Sequence, residues 1–205
     1  MKKILMLLLF LSPYTLFSQS KKIVFADENL KILTKNDFFN NPLKKDRFIL
    51  TFENDSSTIK VKVDREKYGR LTKNRNRNIR SYLETLSSTK IDSTKTVIIN
   101  YFPTADKCQG KSNWNKFFIK KCNNFVNQVK KNEKLTQYFI FKDKSSVKNF
   151  KKKFKWYIDT KQLIEKTFFK YHYPCFSYVI IKPNGNYYTV RGEYNISEIY
   201  KKIKH

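Results

Sequence analysis

The stretch from Tyr171 to Gly192, YHYPCFSYVIIKPNGNYYTVRG, leaves this part of the chain few ways to fold. Phe176 to Ile181 is almost wholly apolar, which suits a strand buried on both faces. Pro183-Asn184-Gly185 is turn chemistry, because Asn and Gly tolerate the positive φ that a tight hairpin needs. Tyr187 to Arg191 resumes with aromatic and β-branched residues and reads as a second strand. Ile196, Ile199, Tyr200 and Ile203 then fall on one face of a helix, with Asn195 as N-cap and Glu198 completing a loose capping box.

The region before it alternates strands and helices. Thr96 to Phe102, TVIINYF, reads as a buried strand. Pro103 to Asn113 is a loop carrying Cys108 and Gly110. From Trp114, the residues Phe117, Phe118, Cys122, Phe125, Val126 and Val129 recur at helical spacing. Gln137 to Phe141 is a second strand, Ser145 to Phe154 a basic helix, and Asp159 to Phe169 another helix capped by Asp159 or Thr160.

Residues 21–90 read as a small β-rich leading region. Lys22 to Phe25, Leu30 to Leu33, Phe48 to Phe52 and Thr58 to Val63 are its strands, and Asn36 to Asn41 a turn or helical turn. Ile59, Val61 and Val63 alternate with Lys60, Lys62 and Asp64, giving one buried and one wet face. Ile79, Tyr82, Leu83 and Leu86 mark a helix that ends at Ser87-Ser88-Thr89.

Met1 to Ser20 has the outline of a secretory signal peptide: Lys2 and Lys3, then an apolar run from Ile4 to Leu11, then the small Ser18 and Ser20. The run is short for a membrane span and no second one follows, so an exported protein of the periplasm or the extracellular space is expected, with no transmembrane segment once the signal is removed. The formal charge of +26, or +24 without Lys2 and Lys3, makes an anionic surface or polymer a candidate partner. Lys148, Lys151, Lys152, Lys153 and Lys155 interleave with Phe150, Phe154 and Trp156; a solvated lysine face with inward aromatics explains this better than a nucleic-acid platform, since no nucleic-acid motif accompanies it. No metal-ligand spacing, phosphate-cradling loop or standout carboxylate pair is present, so no metal or cofactor is expected.

The order β, α, β, α, β, β, α over 96–203, with a cysteine in the loop after the first strand and a proline before the third, resembles the thioredoxin-like fold. The resemblance implies an α/β, three-layer domain over 91–205 behind the small leading region. It also implies that Pro174 is the cis proline beside a redox centre. Thioredoxins carry Cys-x-x-Cys at the start of the first helix, where helix and cations lower a thiol's pKa. Here the segment is Cys108-Gln109-Gly110-Lys111, so Lys111 replaces the resolving thiol.

Three roles stay open for Cys108: a lone nucleophile helped by Lys107 and Lys111, a partner of Cys175, or an inert remnant. The resemblance places Cys108 and Cys175 facing each other, with a protein thiol or disulfide as substrate. His172 is a candidate base near Cys108, although a solvent-facing histidine is the simpler account. Cys122 reads as a small buried hydrophobe. The functional expectation is thiol-disulfide chemistry through Cys108 with Cys175. The alternative is a redox-inactive module that binds an anionic or protein partner through its basic surface.

Overall fold

The computed structural model describes residues 21–40, 47–103, 112–143 and 154–203, with only the backbone over 112–118. The signal-like start, the basic helix expected over 145–154 (all but Phe154), and Lys107, Cys108 and Lys111 lie outside the described residues. The described elements make an α/β protein with two mixed sheets, of four and six strands, and five helices.

The four-stranded sheet contains β1 (Lys22–Ala26), β2 (Ile32–Leu33), β3 (Arg47–Glu53) and β4 (Ser57–Asp64), in the order β2-β1-β4-β3. β1 runs parallel to β4, and the other two pairings are antiparallel. Asn54 folds the β3–β4 turn: its Oδ1 accepts from the Ser56 and Ser57 N–H groups at 3.0 and 2.7 Å. Val61 and Val63 are fully buried while Lys60 and Lys62 are not, the alternation that a half-covered sheet requires. On the wetter face α1 (Lys35–Asn40) sets Phe38 against Phe25, ring centroids 4.9 Å apart.

The six-stranded sheet runs β5 (Glu66–Arg70), β10 (Asn186–Val190), β9 (Ser177–Ile181), β6 (Thr96–Phe102), β7 (Leu135–Phe141) and β8 (Trp156–Ile158) in space. β6, β7 and β8 are mutually parallel, whereas β9, β10 and β5 are successively antiparallel. Side chains alternate across it. Ile98, Phe102, Phe139, Tyr178 and Ile180 share one core with Cys122, Phe125 and Val129 of α3 (Ser112–Lys130) and with Ile196 and Ile199 of α5 (Ile196–Ile203). Val97, Ile99, Ile140, Val179 and Ile181 share the other with α2 (Lys73–Ser87) and α4 (Leu163–Phe168). That second core also takes in Ala26, Leu50, Val61 and Val63, so the four-stranded sheet is joined to it by apolar burial.

Two strands depart from the sequence reading. β5 is largely polar and gains its strand form by pairing with β10, from Glu66 opposite Val190 to Arg70 opposite Asn186. With α2, it attaches the end of the leading region to the larger sheet. β8 is three residues long, and its Trp156 packs with Phe154 against Phe139, at 4.9 and 5.0 Å, so these two aromatics of the lysine-rich segment point inward. α4 starts at Leu163, later than expected. Asp159 stays ahead of it and accepts from the Leu163 and Glu165 N–H groups, each at 2.9 Å.

The hairpin turn forms at Pro183-Asn184-Gly185. Gly185 N–H donates to the Lys182 carbonyl at 3.0 Å, and Asn186 N–H to Asn184 Oδ1 at 3.0 Å. Gly185 has φ +86°, and a Cβ there would lie 3.0 Å from the Leu71 carbonyl oxygen. Gly185→Ala is therefore expected to cost about 1–2 kcal/mol. A shift of the urea midpoint with the slope unchanged would measure it; an unchanged midpoint would refute the strain.

Candidate functional site

The antiparallel pairing of β6 with β9 sets Tyr101 opposite Ser177. The chain just before β9 therefore lies beside the chain just after β6. Phe102 and Phe176 mark this junction, with rings stacked 5.4 Å apart. Cys175 sits on one side of it; residues 104–111, which include Cys108 and follow β6 in the sequence, lie outside the described residues.

Cys175 is 3% exposed. It holds φ 67°, a left-handed conformation rarely taken by a residue with a side chain. Cys122 is a free thiol on the buried face of α3, and burial pushes its pKa up, so it is neither a nucleophile nor accessible. No two of the described cysteines lie at disulfide distance from each other.

Pro174 is exposed, and no peptide bond among the described residues is cis, so the Tyr173–Pro174 linkage is trans. This corrects the expectation of a cis proline. The chain bends at Pro174 and Cys175, with Cys175 in the left-handed conformation, which the residue types do not announce. His172 is exposed and does not line the groove beside Pro174.

That groove has a volume of about 710 Å³. Phe48, Phe176 and Tyr194 give it apolar walls, and Arg65, Lys121, Glu193 and Glu198 a charged rim. Arg65 donates to the Glu193 carbonyl oxygen. Tyr194 is held by a hydrogen-bonded chain: the half-buried Gln137 donates to Asn100 Oδ1 at 2.8 Å, and the buried Asn100 donates to the Tyr194 hydroxyl at 2.6 Å. Burial raises the pKa of that hydroxyl well above its usual value, outweighing the Asn100 bond. Tyr194 in turn meets Phe176 edge-on at 4.8 Å. Sequence reading missed this chain, because a lone Asn inside TVIINYF gives no sign of its partners.

A second polar centre joins the two sheets. Arg191, 2% exposed, donates to Glu28 Oε2 at 2.9 Å and to the Tyr173 hydroxyl at 3.3 Å. Lys67 donates to Glu28 Oε1 at 2.6 Å, and the Tyr171 hydroxyl to the Glu28 carbonyl at 2.7 Å. Burial works to raise the Glu28 pKa, but the Arg191 and Lys67 bonds outweigh it and hold the carboxyl below its ordinary value.

Among the described residues no three His, Cys, Asp or Glu are grouped to hold a metal ion, and no helix is long and apolar enough to cross a membrane. No family model, curated protein or solved structure matches the chain.

Proposed function

We propose that this is an exported thiol-disulfide protein with a thioredoxin-like domain, working in the periplasm or outside the cell through a Cys108–Cys175 pair. One observation carries the reading: the buried Cys175 sits at the mouth of β9, against the end of β6, and Cys108 follows β6 in the sequence. With Cys122 free, Cys108 is the cysteine that remains for Cys175. The element order from β6 to α5 supports the thioredoxin-like part, with β8 as an addition. Lys111 in place of a second loop cysteine and the trans Pro174 depart from that family.

The chemistry follows from burial. Cys175 is shielded, so a substrate thiolate attacks Sγ of Cys108 and the Cys108–Cys175 bond breaks, leaving its electron pair on Cys175. A second substrate thiolate then attacks the substrate sulfur of the mixed disulfide and releases Cys108 as thiolate. The substrate leaves oxidised by two electrons, and the protein is left reduced by two.

Thiol counting tests this. The denatured oxidised protein should titrate one thiol, and three after reduction, and the native bond should open reversibly under mild reductant. Cys108→Ser should abolish exchange with a dithiol peptide. Three thiols before reduction, or a native bond inert to reductant, would leave the second reading: a redox-inactive module binding an anionic or protein partner through its basic surface. The burial of Cys175 favours that reading.

A further inference from the structure

Between the end of α4, strands β5 and β10, and the β1–β2 turn lies a pocket of about 120 Å³. This is several times the ~10–15 Å³ that admits one water. Four cations line it, Lys67, Lys166, Lys170 and Arg191, against the single carboxylate Glu28. Both Glu28 oxygens are already taken, one by Lys67 and one by Arg191. Among the described residues no carboxylate pairs with Lys166 or Lys170. Lys170 rests instead over the Tyr171 ring at 5.5 Å.

The buried wall carries a second sign. Arg191 has two guanidinium nitrogens engaged, but its Nε–H is buried with no acceptor among the described residues. A buried donor without an acceptor is costly and rare in a native structure, and a site with spare donors and spare positive charge is built for a group rich in acceptor oxygens. Tyr171, Tyr173 and Phe168 supply flat apolar walls for what that group is attached to.

We infer that this pocket binds a tetrahedral oxyanion, the phosphate or sulfate group of a monoester, with Lys166 and Lys170 as the outer clamp and Arg191 as the inner wall. The site is independent of the disulfide, and it gives the protein a specific anionic ligand chemistry beyond a diffusely basic surface.

The test is calorimetric titration of the full chain with inorganic phosphate and, separately, inorganic sulfate, with chloride at matched ionic strength as the blank. Saturable binding of either oxyanion is expected. Lys166 and Lys170 are exposed, so Lys166→Ala/Lys170→Ala should fold normally, as circular dichroism would verify, and should weaken binding by roughly tenfold or more. The exposed pair Lys131→Ala/Lys134→Ala removes the same charge elsewhere and should leave binding within about twofold of the parent. Tighter phosphate points to phosphate esters, and tighter sulfate to sulfated ligands. No saturable heat beyond chloride, or equal losses in the two double variants, would overturn the site. Neither outcome touches the thiol count, so the two proposals fail separately.

Discussion

Arg191→Met is expected to lower the stability of the fold by about 3–5 kcal/mol. The guanidinium is 2% exposed and bonds Glu28 and Tyr173, so truncation leaves a partly buried carboxylate with only Lys67 and a buried hydroxyl without its partner. Its stacking over the Tyr173 ring, at 5.5 Å, is lost as well. Adding Glu28→Gln should return most of the loss, because the penalty lies in the orphaned charge more than in the pair's own worth. Urea unfolding of the two single variants and the double variant measures this; a single-variant cost below about 1 kcal/mol would mean that the pair does not tie the sheets together.

The same pair sets an acid limit. The folded Glu28 pKa lies below its ordinary 4.5, so its contribution is complete above that value and is lost as pH falls through the lowered one. The parent protein should therefore lose stability on the acid side of 4.5, and the Arg191→Met/Glu28→Gln variant should lose less there.

Asp159→Ala is expected to cost about 3 kcal/mol. Asp159 is 2% exposed and accepts from the Tyr82 hydroxyl and from the N–H groups of Leu163 and Glu165, all at 2.9 Å. Alanine leaves those donors unmet where α4 meets α2. Burial raises the Asp159 pKa above its ordinary 3.8, outweighing the N–H bonds, so its contribution is full below that value and declines as pH climbs through the raised one. Glu28 and Asp159 thus respond to pH in opposite senses. Hydrogen exchange at Leu163 and Glu165 should quicken in Asp159→Ala before the rest of the sheet does; protection unchanged there would show that the carboxylate does not anchor α4.

Much of this architecture was legible because it rests on local pattern. Thr96 to Phe102 was readable to the residue, since an unbroken apolar run bounded by polar residues has one reading. The final hairpin and helix were readable through turn chemistry and 3.6-residue spacing. β5 was not, because Glu66-Lys67-Tyr68-Gly69-Arg70 has no apolar period and is a strand only by virtue of β10. The late start of α4 escaped because Gln162 adopts a left-handed conformation, φ 52°, which nothing in its type foretells. At the site, the place of Cys175 followed from the strand it introduces, but its own left-handed turn and the trans Pro174 did not. The Arg191–Glu28 pair spans 163 positions and leaves no mark in any local window.

The pairing of β5 with β10 also orders events in time. Glu66 to Arg70 leave the ribosome more than a hundred residues ahead of Asn186 to Val190, their only strand neighbour among the described residues. An edge made early and completed last delays closure of the sheet to the final stage of synthesis. Until then the polar, glycine-bearing composition of that segment keeps it a poor template for pairing with another molecule.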